Sequence, residues 1–332
     1  MKAFVLGAGL GTRLRPLTDH RPKPLVPLYG KPLITFGFDH LIASGITSFV
    51  VNTHHRPEAY DQLLPGNRYR EFPVEYRHEP ILLDTGGGIK NVESFVGDDP
   101  FVAYNGDVLA DFPLRPAIDR HLQSGHIATL VLKSSGGPLH VQSRDCLVTD
   151  IRGRLANEQA SRLLSQTGNR DGRPTPADQP LSYLFTGITI LSPEIFRHIP
   201  AGEIVSIIPI YLDLLREGAK IGAHIADEGL WFDLGTRDSY LAAHSLLQPG
   251  GVQLSYVRDD WPAVVADSAH VAPSARLQGA CSIGNGATVG DGAILQDCVL
   301  WENAVAAPQS RLTRCVVRDG MAAGGEFTGI DF

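Results

Sequence analysis

The residues best suited to do chemistry surround a glycine-rich turn, Gly7-Ala8-Gly9-Leu10-Gly11-Thr12-Arg13, with Pro22-Lys23-Pro24 shortly after it. From Met1 to Lys31 six basic residues (Lys2, Arg13, Arg15, Arg21, Lys23, Lys31) stand against one acidic residue, Asp19, a local +5 in a chain of net charge −7. An apolar strand that runs into such a turn suits a polyphosphate. Where side chains are absent, backbone N–H groups can approach phosphate oxygens, and nearby cations neutralise the charge. Gly7, Ala8, Gly9, Gly11, Thr12 and Arg13 are therefore candidate nucleotide contacts. A tight strand–helix turn with glycines for backbone reasons alone is the alternative, and Arg13 and Lys23 beside it favour phosphate.

Two better-known glycine loops are excluded. A Walker A loop needs Gly-x4-Gly-Lys-Ser/Thr, which does not occur. A dinucleotide fingerprint needs Gly-x-Gly-x-x-Gly and an acid ending the second strand, but position 12 is Thr and the Ile46–Val51 strand ends in Asn52-Thr53.

Two carboxylates follow apolar strands: Asp107 in Phe101-Val-Ala-Tyr-Asn105-Gly-Asp107, and Asp233 in Trp231-Phe-Asp-Leu-Gly-Thr236. Ligands of open α/β sheets gather at the carboxyl ends of strands. Two aspartates delivered there can share a Mg²⁺ ion, which takes one or two carboxylates plus substrate phosphates. The competing reading makes each a turn or cap residue, and Asp111 reads as the N-cap of the next helix. Leu83-Asp-Thr-Gly86-Gly87-Gly88-Ile-Lys90 is a second glycine turn opening a helix. There Gly86 and Gly87 can let a base or ribose approach the backbone, with structural glycine as the alternative.

These residues need a scaffold. Strands are predicted at Ala3–Leu6, Ile46–Val51, Val74–Arg77, Phe101–Tyr104, Ala128–Leu132, Phe185–Leu191 and Ile221–Ile225. Helices are predicted between them at Pro32–Ala43, Glu58–Leu64, Gly87–Phe95, Leu114–Gln123, Pro193–His198, Ser206–Glu217 and Arg237–Leu247. The alternation predicts an α/β layered fold with a mostly parallel sheet. The polar stretch Arg152–Pro180 reads as an excursion from it.

After residue 263 apolar residues recur every six: Val265, Val271, Leu277, Ile283, Val289, Leu295 and Trp301, with Ala307 and Thr313 in phase. This is the hexapeptide signature of a parallel β-helix. Cys281, Cys298 and Cys315 are 17 residues apart, about one coil, and are expected to lie near one another as buried or half-buried thiols. Apolar Ile294, Leu300 and Trp301 on flat β faces predict that the tail pairs copies into a homo-oligomer, a dimer foremost.

Composition narrows the function classes. With 332 residues and 43% hydrophobic content the chain holds a sizeable core and about two domains. No apolar run approaches a membrane span, the start reads as no secretory signal, and the four cysteines form no zinc pattern, so a cytoplasmic protein is expected. The net negative charge argues against nucleic acid. The twelve histidines, His54-His55 included, read mostly as surface residues rather than a metal site.

In combination these motifs resemble the bacterial nucleoside-diphosphate-sugar pyrophosphorylases, the sugar-1-phosphate nucleotidyltransferases. Their signature Gly-x-Gly-Thr-Arg-x-x-Pro-Leu-Thr matches Gly9–Thr18, Pro-Lys-Pro matches Pro22–Pro24, Asn-Gly-Asp matches Asn105–Asp107, and Asp-x-Gly-Thr matches Asp233–Thr236. Phe185-Thr186-Gly187-Ile188 is similar to the family's sugar-contacting strand. The Val-Glu-Lys-Pro motif of many relatives is absent, so sugar specificity does not carry over. N-acetylmuramate-1-phosphate uridylyltransferases and mannose-1-phosphate guanylyltransferases are the nearest subgroups.

The resemblance implies a Rossmann-like mixed-sheet catalytic domain over residues 1–248. A linker at 249–263, a short left-handed β-helix at 264–322 and a tail at 323–332 would follow. It implies Arg13, Lys23, Asp107 and Asp233 as catalytic residues. Arg13 and the Gly9–Thr12 amides would hold the β- and γ-phosphates, and Mg²⁺ would sit on Asp107 and Asp233. Lys23, Asn105, Thr186 and Gly187 would contact the sugar 1-phosphate. A non-catalytic nucleotide-sugar sensor and a hexapeptide acyltransferase are the rival classes. Both retained carboxylates argue against the first. About nine hexapeptides with a single histidine, His270, argue against the second.

Overall fold

A computed structural model describes residues 1–158, 180–257 and 261–332. Most of the polar Arg152–Pro180 excursion, residues 159–179, lies outside them, as do residues 258–260 of the linker.

A ten-stranded mixed sheet organises the α/β part. Its heart is four parallel strands, in the order Phe101–Asn105, Lys2–Leu6, Phe49–Thr53 and Phe72–His78. Side chains alternate between the two faces as the strand period demands. Ala3 and Val5 enter one core, with Phe38 and Ile34 of the Leu33–Ala43 helix, while Phe4 enters the other, with Ile89 and Tyr211. The sheet departs from the mostly parallel expectation at Leu181–Leu191, which runs antiparallel between Phe101–Asn105 and Ala128–Lys133. Its register slips between Phe185 and Thr189, a bulge that carries Thr186 and Gly187.

Helices form at Glu58–Leu63, Arg115–Ser124, Ile207–Arg216 and Arg237–Leu247, and a 3-10 turn at Pro193–His198. The single predicted helix over Gly87–Phe95 is two, Asp84–Asn91 and Glu93–Val96. Asp111 does not cap the helix after it; its carboxylate accepts from the Ser255 hydroxyl at 2.5 Å and ties the linker to the end of the short Val108–Ala110 strand.

Beyond residue 264 short strands stack into three parallel sheets, as a β-helix requires. The six-residue phase holds from Val265 to Leu295 and then breaks. Val271 pairs with Val289 and Leu277 with Leu295, a rise of 18 residues, but Ile283 pairs with Leu300 and Leu295 with Leu312, a rise of 17. The corner at Asp297, whose φ is +52°, is one residue shorter than the preceding one. The interior therefore takes Leu300, Ala306 and Leu312, not Trp301, Ala307 and Thr313. Cys281, Cys298 and Cys315 are all fully buried there as free thiols.

The phase break redirects Trp301. It lies outside the prism, against Tyr240, Leu14 and Leu17, and only 2% of it is exposed. Its Nε1–H donates to the Tyr240 hydroxyl at 2.9 Å, and the Arg21 guanidinium stacks over its ring at 5.3 Å. Leu300 is buried inside the helix and Ile294 is half-buried, so this set does not form the exposed apolar face expected for pairing.

His244 lies in the seam between the α/β part and the tail, packed by Tyr29 and Tyr240, with Nδ1–H donating to Tyr240 O at 3.0 Å. Burial holds its imidazole down to about 4. Unfolded, the ring titrates near its ordinary 6.5. The stability that it contributes is thus complete above that value and is lost as pH falls towards 4. The protein should lose about 2 kcal/mol through this group between pH 7 and 5, and His244→Gln should remove that share. Urea midpoints of both proteins at the two pH values check it; an equal pH dependence would refute it.

Candidate active site

Strand register delivers the site. Leu6 is paired with Asn52 on one side and Asn105 on the other, so the glycine turn, Asn52 and the Asn105-Gly106-Asp107 turn leave the sheet at one end. Gly106 donates its N–H to Leu6 O at 3.0 Å, and a Cβ there would lie 2.6 Å from that oxygen. Only glycine lets the chain turn so close to the neighbouring strand. Asp233 arrives by another route. Trp231–Asp233 pairs antiparallel with Val108–Ala110, which puts Asp233 opposite Val108, next to Asp107.

Lys23, in the Lys23–Leu25 3-10 turn, joins them. Its ammonium is 2.5 Å from Asp107 Oδ2 and 3.7 Å from Asp233 Oδ1. The lysine side chain is 10% exposed and the two aspartates are 29% and 42% exposed, so the cation is sheltered and the carboxylates face solvent. Arg13 stands close by. A Cβ on Gly235 would lie 2.9 Å from Arg13 Nη2 and 3.0 Å from Asp233 Oδ2, so this glycine makes room for both groups. Thr236 then caps the Arg237–Leu247 helix, its hydroxyl accepting from Ser239 N–H, which fixes the end of the Asp233 turn.

The glycine turn divides its amides. Those of Gly7 and Ala8 donate to Asn52 Oδ1 at 2.8 and 3.1 Å, so they are already spent inside the protein. The amides of Gly9, Leu10 and Gly11 donate to no group among the described residues, and Gly11 has a φ of +58°. The donors left for an anion are therefore in the second half of the turn, beside Arg13.

Other expected contacts are used differently. Gly86 and Gly87 donate to Val205 O at 2.8 and 3.0 Å, and a Cβ on either would strike Val205 O or Glu203 O. Their missing side chains admit the protein's own 203–206 segment. The Thr186 hydroxyl is fully buried and donates to Val131 O at 2.8 Å. Gly187, with φ +80°, packs against Asn105, whose Nδ2 would be 2.6 Å from a Cβ at 187. Those two remain at the site, one against the other.

Asn52 and Glu79 carry structural work that the sequence reading missed. Asn52 Nδ2 donates to Glu79 Oε1 at 2.8 Å, and Glu79 Oε2 accepts from Leu83 N–H at 3.1 Å. Both side chains are buried, so one chain of bonds runs from the first glycine turn to the second. The available signal was a polar residue closing an apolar strand. Among the described residues no group of three or more His, Cys, Asp or Glu is arranged to hold a metal. No helix of the described residues is long and apolar enough to cross a membrane.

Asn52→Ala would take their partner from two amides and from one oxygen of the Glu79 carboxylate. It should cost on the order of 3 kcal/mol. Urea unfolding measures this, and a loss below about 1 kcal/mol would show that water or a neighbour replaces the amide.

The Nucleotidyl transferase family matches residues 2–138. Three curated relatives extend the similarity. The UTP–glucose-1-phosphate uridylyltransferase of Synechocystis sp. is 29% identical over 73% of this chain, which spans 62% of that protein. The mannose-1-phosphate guanylyltransferase of Mycobacterium tuberculosis is 30% identical over 82% of this chain and 71% of its own length. The N-acetylmuramate alpha-1-phosphate uridylyltransferase of Neisseria meningitidis is 30% identical over 71% of this chain and 94% of its own length. The solved UDP-glucose pyrophosphorylase from Acinetobacter baumanii shares the fold with a TM-score of 0.59 at 20% identity, over 75% of this chain and 95% of that one.

Proposed function

This chain belongs to the sugar-1-phosphate nucleotidyltransferase family, and from that premise we propose that it joins a nucleoside triphosphate to a sugar 1-phosphate, giving an NDP-sugar and pyrophosphate. The observation that carries the reading is the Lys23 ammonium held by Asp107 and Asp233 beside the open half of the glycine turn. In this reaction an oxygen of the sugar phosphate forms a bond to the α-phosphorus while the bond from that phosphorus to the β-phosphate oxygen breaks. The nucleophile is already ionised, so no general base is needed. Two anions must be brought together, so positioning and charge neutralisation are the whole task.

Arg13 and the amides of Gly9, Leu10 and Gly11 would take the β- and γ-phosphates. Lys23 would exchange its carboxylate partners for the reacting phosphate. Asn105 and Gly187 would border the sugar. Two carboxylates that share a cation in this structure are a hard-oxygen pair suited to a hard divalent ion such as Mg²⁺, which takes its other ligands from phosphate and water. When bound to Asp107 and Asp233 it would supply charge neutralisation of the phosphates.

UTP is the first candidate nucleotide, because the relative aligned over 94% of its own length is named as a uridylyltransferase. GTP is the second, on the name of the mycobacterial relative. Pyrophosphate release across four nucleoside triphosphates and a panel of sugar 1-phosphates tests the reaction. Turnover with no pair, alongside nucleotide-sugar binding, would favour the sensor instead. Asp107→Asn and Asp233→Asn should each lower kcat by about a thousandfold with the fold intact, while Arg13→Ala raises the nucleotide KM. Near-normal turnover of either aspartate variant at saturating Mg²⁺ would remove the metal assignment.

A homodimer is the assembly proposed. With Trp301 and Leu300 buried, its apolar contribution now falls to exposed Met321, Phe327 and Ile330 in the last coil. Light scattering should give two subunits, and one subunit for Phe327→Glu with Ile330→Glu; a monomeric parent would end this proposal.

A further inference from the structure

The tail grips the α/β part at two of the segments that form the site, those that carry Lys23 and Asp233. On the first, Arg318 Nη1 donates to Pro16 O at 3.1 Å, and Asp319 pairs at 2.8 Å with Arg21, two residues before Lys23. On the second, Asp331 accepts from Arg237 Nε through both oxygens, at 2.8 and 2.9 Å, and Arg237 Nη2 also donates to Arg314 O. Arg237 directly follows Thr236, the cap that ends the Asp233 turn.

These grips share one support. Arg318 Nε donates to Phe332 O at 2.7 Å, Phe332 N–H donates to Val316 O at 2.9 Å, and Val316 bridges Asp331 in parallel. Arg318 and Asp331 are therefore cross-linked to each other within the last coil. That coil is hydrogen-bonded to the one before it. The two gripped segments come from opposite ends of the α/β sequence. Between them runs the Lys23–Asp233 contact of 3.7 Å, looser than the 2.5 Å contact of Lys23 with Asp107. The Arg237–Asp331 pair is sheltered, at 23% and 7% exposure, so it is held more firmly than a surface pair.

We propose that the last coil of the β-helix is a brace that sets the separation of Lys23 from Asp233, with Asp331 and Arg318 as positioning residues for nucleotidyl transfer. The inference rests on the catalytic reading given above. Transfer between two phosphates is sensitive to placement, and a shift of about 1 Å at such a site can cost about a hundredfold. A brace acts on the reacting geometry rather than on binding, so its loss should appear in kcat.

The test uses the full-length chain carrying Asp331→Asn, Arg318→Ala, or the charge swap Arg237→Asp with Asp331→Arg. The single variants should melt cooperatively, lose about tenfold or more in kcat, and change either substrate KM by less than about threefold. Amide hydrogen exchange should quicken in residues 11–26 and 233–247, and the swap should recover most of the kcat lost by Asp331→Asn. Unchanged kcat and unchanged exchange in both single variants would overturn the brace. So would a loss of kcat that only follows a loss of folded protein. If the parent enzyme transfers no nucleotide at all, the catalytic reading fails, while the exchange measurement still judges the brace.

Discussion

One ammonium group between two carboxylates is the constraint on which the site depends. Lys23 leaves a turn near the start of the chain, Asp107 leaves a central strand, and Asp233 leaves a small two-stranded sheet added at the end of the α/β part. Brought together without a cation the carboxylates would repel, and a lysine this sheltered would be costly without an anion. The lysine offsets one of the two carboxylate charges, and the trio keeps a net −1. It is also exchangeable. A phosphate can take the lysine while a divalent cation takes the carboxylates, and neither exchange leaves a charge uncompensated. Solvent access to both aspartates provides the route.

The glycines around this set look alike in sequence and do different work. Gly106 makes room for a neighbouring backbone oxygen, Gly235 for a guanidinium and a carboxylate, and Gly86 and Gly87 for the protein's own 203–206 segment. Gly11 supplies a left-handed backbone. Even within one turn the amides part company: Asn52 takes the first two, and Gly9 to Gly11 keep theirs. Asn52 is in turn held by Glu79, so a buried polar chain keeps the turn in shape.

The tail follows a similar logic of shared surfaces. A one-residue shortening at the Asp297 corner moves Trp301 out of the prism and into the seam with Tyr240. An indole outside a β-helix is a liability in water, and here it is covered by the α/β part with its N–H satisfied. The same seam holds Leu14 and Leu17 of the signature loop and the Arg237–Leu247 helix, so the apolar contact and the ionic grips act on the same elements.

Local pattern determined a great deal by itself. Strand and helix positions and the β-helix are legible because periodicity is written along the chain, and local charge singles out Arg13, Lys23, Asp107 and Asp233, of which the last three meet in one ion-paired set. What the pattern could not carry is what each group does once a neighbour arrives. The spent amides of Gly7 and Ala8, the hidden hydroxyl of Thr186, and Gly86 and Gly87 facing protein all depend on residues far away in sequence. The outward turn of Trp301 depends on one missing residue at a corner, which shifts every later position by one and cannot be seen in a count of sixes until the coils are stacked. The sequence determined which groups are present. The tertiary structure decided which of them remain free, because a hydrogen-bonding atom satisfied within the fold is no longer available to a ligand.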